Sequence, residues 1–127
     1  MNAIKAALLV GAGGFMGSVL RFLIAGWVQN ALPRTTFPYG TLAVNVSGCL
    51  AIGVLAGLFE LRQLFGLEVR LFLVIGVLGG YTTFSSFAYE TLVLARDAEM
   101  ARALANVALQ TVLGLAAAWI GYTLVRT

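Results

Sequence analysis

The chain contains no histidine, one cysteine, two prolines and only five acidic residues among its 127. Each scarcity removes a class of function. No cluster of metal-ligating side chains, no nucleophile–base pair and no phosphate-binding loop can be assembled from what remains, and enzymes need such convergent groups. Catalysis is not expected. The lone thiol, Cys49, lies in an apolar stretch and has no partner for an intramolecular disulfide, so it reads as a small packing residue. The eight Lys and Arg, with a net charge of +3, sit singly between apolar blocks. They form no basic face of the kind that nucleic acid requires, and they read as anchors at membrane ends. No Ser-, Pro- or Gln-rich linker divides the chain, so one domain over residues 1–127 is expected.

Charge is the deepest scarcity. Charged residues make up 10% of the chain and hydrophobic ones 61%, whereas a soluble domain carries about 25% charged residues. So short a chain cannot hide that much apolar surface in one soluble core. Lipid is the solvent that accepts it. The charges punctuate four apolar segments, at about residues 4–28, 40–59, 71–94 and 103–125, each near the ~20 residues a spanning helix needs. Lys5 followed by an apolar run has the flavour of a signal peptide. The glycines at 11, 13, 14 and 17, the presence of Arg21 and the lack of an A-x-A site favour a first span. The connections, 29–39, 60–70 and 96–102, are short and predict antiparallel neighbours.

Loop charge gives no orientation. One side holds Lys5, Arg62, Arg70 and Arg126; the other holds Arg34, Arg96 and Arg102, with Arg21 added if it reaches that way. A chain so balanced either inserts both ways, allowing an antiparallel two-fold dimer, or is oriented by finer cues. Gly13 with Gly17 and Gly53 with Gly57 form small-xxx-small pairs, flanked by Ser18 and Gly48. Such pairs let helix backbones approach closely in lipid.

Polar groups inside spans are the candidates for function. Thr41 and Asn45 are four apart in the second span, and Asn106 and Gln110 are four apart in the fourth, so each pair shares a helix face. These stripes either glue helices together or offer N–H donors to a cavity. The third span carries Gly79-Gly80-Tyr81-Thr82-Thr83-Phe84-Ser85-Ser86-Phe87. Glycine costs ~1 kcal/mol against alanine in a helix interior, and Ser and Thr compete for backbone hydrogen bonds. A helix break is expected here. Broken backbone at that depth persists only where protein buries it or where it lines a cavity. Phe84 and Phe87 share a face, and their positive ring edges are weak partners for an anion; plain packing is the alternative.

That run resembles the G-G-x-T-T-F-S-T-F signature of the Fluc (CrcB) family of fluoride channels, with Ser86 in place of the second threonine. Gly13, Gly14, Gly17 and Arg21 match G-G-x-x-G-x-x-x-R, and Gly40 to Asn45 match G-T-L-x-x-N. Length, four spans and balanced loops agree, so the resemblance covers essentially the whole chain. It implies an all-α membrane protein of four transmembrane helices, the third broken, forming an antiparallel dual-topology homodimer in the inner (plasma) membrane. It further implies a fluoride-selective channel that exports cytoplasmic fluoride passively through two pores lined by both subunits. A central sodium, structural and not transported, would be held by the main-chain carbonyls of Gly79 and Thr82. Asn45 would donate to fluoride, Phe84 and Phe87 would line the constriction, and Thr41, Ser85, Asn106 and Gln110 would form a polar track. Glu90 would sit near the pore as a hydrogen-bonding partner. Asn106 and Gln110 stand where the family varies among tyrosine, serine and histidine, which leaves the exit path open.

Two rivals remain. A small multidrug exporter is also a four-span dual-topology dimer, but it would want a carboxylate in the first span; this chain has Arg21 there and no acid before Glu60. In a non-transporting assembly protein, the amides would only join helices.

Overall fold

A computed structural model describes all residues, 1–127. The chain is entirely helical, with four helical stretches long and apolar enough to cross a membrane. Helix α1 covers Ala3–Ala31 and α2 covers Tyr39–Glu60. The third stretch, Leu67–Arg96, is composite. It comprises α3 (Leu67–Arg70), a π-helical run (Leu71–Leu78), α4 (Gly79–Tyr81) and, after a gap, α5 (Phe84–Arg96). Helix α6 covers Met100–Arg126. The observed helices overrun the apolar segments by a few residues at most ends, because helical backbone continues into the polar boundary. Asn2 caps α1 by accepting the Lys5 N–H at 2.8 Å, which satisfies one of the orphan donors of a helix start. The same helix stops before Pro33, as the restricted backbone ahead of a proline requires.

Two seams hold the bundle. Helix α1 lies along the π-helical run and α4, and α2 lies along α6. Both seams are made by glycine. A Cβ on Gly17 would strike the Val77 carbonyl oxygen, and one on Gly76 would come within 2.9 Å of the Gly13 Cα. Across the other seam, a Cβ on Gly53 would strike the Ala118 carbonyl oxygen, and one on Gly121 the Leu50 carbonyl oxygen. The glycine pairs expected from spacing are therefore packing devices. Their partners Gly76, Gly80 and Gly121 complete the seams from the opposite helices.

Polar ties close the two ends. At one end Lys5 pairs with Glu68 at 2.8 Å, and the Arg62 guanidinium donates to the Val125 carbonyl at 3.2 and 3.3 Å. Arg70 donates to the Phe59 carbonyl at 3.2 Å and covers the Phe59 ring at 5.0 Å. At the other end Thr36 donates to Glu99 at 2.6 Å, and Arg102 donates to the Thr36 hydroxyl. Lys5, Arg62 and Arg70 thus share one end and Arg102 the opposite one, as the loop count supposed. Only 18 of the 127 residues are buried, so the single chain leaves most of its apolar surface for other neighbours.

Candidate functional site

The third span breaks at its midpoint. Thr82 (φ −87°, ψ 158°) and Thr83 (φ −149°, ψ 118°) are extended. An unbroken helix would send the Thr83 N–H to the Gly79 carbonyl and the Ser86 N–H to the Thr82 carbonyl. Both donors go elsewhere. The Thr83 N–H donates to Asn45 Oδ1 at 2.8 Å, and the Ser86 N–H donates to Thr83 Oγ1 at 3.1 Å. Thr83 is therefore the N-cap of α5, and the carbonyls of Gly79 and Thr82 lose their helical partners. The expected break is present, two residues wide.

Asn45 holds the break open. Its Nδ2 donates to the Thr83 carbonyl at 3.0 Å while its Oδ1 accepts the Thr83 N–H, so both backbone polar groups of one residue are gripped by one amide. The second Nδ2 hydrogen goes to Gln110 Oε1 at 3.0 Å. Gln110 Nε2 in turn reaches Asn106 Oδ1 at 3.5 Å, Asn106 Nδ2 donates to Thr91 Oγ1 at 2.9 Å, and Thr91 donates to the Phe87 carbonyl at 2.7 Å. Asn106 is fully buried. Asn45 of α2 and the amide stripe of α6 thus form one chain of hydrogen bonds that begins and ends on the broken span.

A cavity of about 500 Å³ opens beside the break. Six of the singled-out residues line it: Asn45, Gly79, Thr82, Phe84, Phe87 and Gln110. The Phe84 and Phe87 rings meet edge to face at 5.5 Å, and Phe84 is 78% exposed in the single chain. No charged side chain borders this cavity. The oxygens on its wall are carbonyls and hydroxyls, since no Asp or Glu lines it; such oxygens suit hard cations.

A second cavity, about 870 Å³, takes Thr41 and Glu90 together with Ser18, Arg21 and Ser86. Thr41 donates to Glu90 Oε1 at 2.6 Å, and the buried Oε2 has no partner. Thr41 and Asn45, though on one helix face, therefore serve different cavities. Ser85 and Asn106 line neither; Ser85 Oγ lies 3.4 Å from Thr83 Oγ1. Sequence reasoning missed three participants. Arg21 turns inward and donates to the Gly80 carbonyl at 3.0 Å instead of reaching for the membrane end. Thr83 is the peptide that Asn45 grips, and Thr91 continues the amide chain. Thr83 had a signal in the signature run, but a peptide's partner leaves no mark in residue type.

Fold and site define a small multi-pass membrane protein with a broken third span set against an uncharged cavity. Comparison with known proteins gives the family. Residues 8–122 match the family described as CrcB-like protein, Camphor Resistance (CrcB). The chain is 47% identical over 119 residues to the fluoride-specific ion channel FluC of Pseudomonas fluorescens, covering 94% of this chain and 95% of that one. It is 44% identical over 122 residues to FluC of Elusimicrobium minutum, covering 96% and 94%. It is 40% identical over 114 residues to FluC 1 of Methanosarcina acetivorans, covering 90% and 86%. The chain belongs to the CrcB family.

Proposed function

We propose that this protein is a fluoride-selective channel that lets cytoplasmic fluoride leave the cell passively across the plasma membrane. The observation that carries the reading is the uncharged cavity beside the break, lined by the Asn45 and Gln110 amides and the Phe84 and Phe87 rings. Fluoride is small, strongly hydrated and purely a hydrogen-bond acceptor. Its pore must replace water with donors, and neutral donors do so without trapping the ion, which conduction requires. Relatives that match nearly the whole chain carry the name fluoride-specific ion channel, which supports the substrate.

A structural sodium fits the same break. Gly79 and Thr82 lose their helical N–H partners to Asn45 and Thr83, and unpartnered carbonyls inside a span are ready ligands for an alkali cation. An antiparallel homodimer of a single-domain chain accounts for the exposed Phe84 and for loops without charge bias. In that assembly the two copies complete the cavity walls that one copy leaves open.

Purified protein in liposomes tests the reading. Fluoride efflux with negligible chloride efflux is expected, and it should weaken when a large organic cation replaces sodium. Comparable chloride flux would end the selectivity claim. Transport of organic cations would favour the multidrug-exporter alternative, and no flux of any kind would favour an assembly protein. C-terminal reporter fusions should find copies facing both ways.

A further inference from the structure

The orientation of two side-chain amides follows from the backbone of one residue. Thr83 offers an N–H and a carbonyl side by side, and only one orientation of the Asn45 amide can answer both, with Oδ1 on the N–H and Nδ2 on the carbonyl. The remaining Nδ2 hydrogen then points to the cavity side and must find an acceptor. That acceptor is Gln110 Oε1, at 3.0 Å. With its oxygen so directed, the Gln110 NH2 faces Asn106 Oδ1, which it meets only at 3.5 Å, the outer limit of a useful hydrogen bond. Gln110 is thus well held at its oxygen and loosely held at its nitrogen. It borders the open cavity, whereas Asn106 behind it is fully buried.

Both hydrogens of the Asn45 amide are therefore committed to protein acceptors. An anion can use Asn45 only by taking over a hydrogen that now serves another acceptor. The hydrogen on the Thr83 carbonyl is fixed by the companion bond from the Thr83 N–H to Oδ1, so the amide cannot turn it away without breaking both contacts. Gln110 can yield, because its side chain is loosely tied and has cavity space to enter. We propose that the Gln110 carboxamide oxygen is a stand-in for the anion: it holds the Asn45 hydrogen that the ion needs and is displaced when the ion arrives. Gln110 is thus a positioning residue that acts through Asn45 and sets how strongly the site holds its ion. This rests on the channel reading above and deepens it.

Displacement has a cost, so removing the stand-in tightens the site. Gln110→Met keeps side-chain length and removes the competing oxygen. The fluoride concentration giving half-maximal efflux should fall about two- to tenfold, the factor that one neutral hydrogen bond makes. Maximal flux should fall with it, because an ion held more tightly leaves more slowly. Gln110→Glu should act in the opposite sense, since a carboxylate holds the Asn45 N–H more firmly and repels the ion. Gln110→Leu serves as a second apolar variant with the same expectation as Met.

Fluoride efflux is measured over a concentration series beside dimer content by size-exclusion chromatography. Lowered half-saturation in the Met or Leu variant with the dimer intact supports the stand-in. Unchanged or raised half-saturation in both, or dimer loss in both, overturns it and leaves Gln110 a structural residue. Wild-type protein that passes no fluoride at all would remove the channel reading itself. Normal wild-type flux with an insensitive position 110 would remove the stand-in alone.

Discussion

The two halves of the third span are held in place by opposite means. From Leu71 to Leu78 the helix is apolar on every side and lies against α1, where Gly13 and Gly17 let backbone meet backbone. From Phe84 to Arg96 it is amphipathic and is tied to α2 and α6 through side-chain hydrogen bonds at Glu90 and Thr91 and, just ahead of it, from the Thr83 N–H to Asn45. The first half is held by shape, so it should tolerate no added atoms. The second is held by donors and acceptors, so it should tolerate changes of volume better than losses of polarity. The break lies where these two modes meet, and side chains answer groups that the helix gives up there: Asn45 takes the Thr83 N–H, Thr83 Oγ1 takes the Ser86 N–H and Arg21 serves the Gly80 carbonyl.

The sharpest way to break this contrast is to add volume to the seam. Gly17→Leu places a Cβ on the Val77 carbonyl oxygen and within 2.9 Å of the Tyr81 nitrogen. Overpacking of this kind costs about 1–3 kcal/mol or more, and no folded protein should be recovered by size-exclusion chromatography. Gly11→Leu, where nothing lies within 4 Å, should be recovered normally. Equal yields for the two would dissolve the distinction between seam and surface.

Next in size is Asn45→Leu, which keeps bulk and removes polarity. It leaves the Thr83 N–H without its partner, at about 1–3 kcal/mol, and removes the side-chain donor from the Thr83 carbonyl. Thermal unfolding should shift down markedly and fluoride efflux should drop by more than tenfold. A variant with wild-type stability would show that the break supports itself.

Phe84→Leu and Phe87→Leu should leave the fold alone and lower fluoride efflux several-fold, because they alter cavity edges and not ties. Loss of folded protein equal to that of Gly17→Leu would make these rings packing residues. The smallest effect belongs to Lys5→Gln. It removes an exposed pair with Glu68, and exposed pairs contribute little. Neither efflux nor recovery should change.

The four spans, their antiparallel order and the break were all legible in the sequence, because lipid enforces apolar runs and the Gly79-Gly80 and Thr82-Thr83 pairs are hostile to helix. The π-helical run was not. Leu71 to Leu78 is apolar at every position, so it has no polar face whose period could betray five-residue hydrogen bonding. The site was legible as a set of residues and illegible as a circuit. Spacing put Asn106 and Gln110 on one face and Thr41 and Asn45 on another. It could not say that Asn45 would turn to a backbone peptide, that Thr41 would turn to Glu90, or that Arg21 would bend inward to Gly80. Those choices depend on the distance between helices, and glycines on the opposite helix set that distance.

The interrupted backbone also has an electrical side. In a continuous helix the peptide dipoles cancel head to tail everywhere except at the ends, which carry about half a unit of charge each. Here two such ends face each other inside one span. The stretch that finishes at Tyr81 presents its negative pole, and α5, starting at Phe84, presents its positive pole two residues later. A pair of opposite partial charges therefore lies at the midpoint of the span, with no ionisable side chain needed to make it. Those poles belong to the main chain, so no pH change removes them and no exchange of a pore-lining side chain reverses them. Only a change that let residues 82 and 83 regain helical angles would erase them, and it would erase both together.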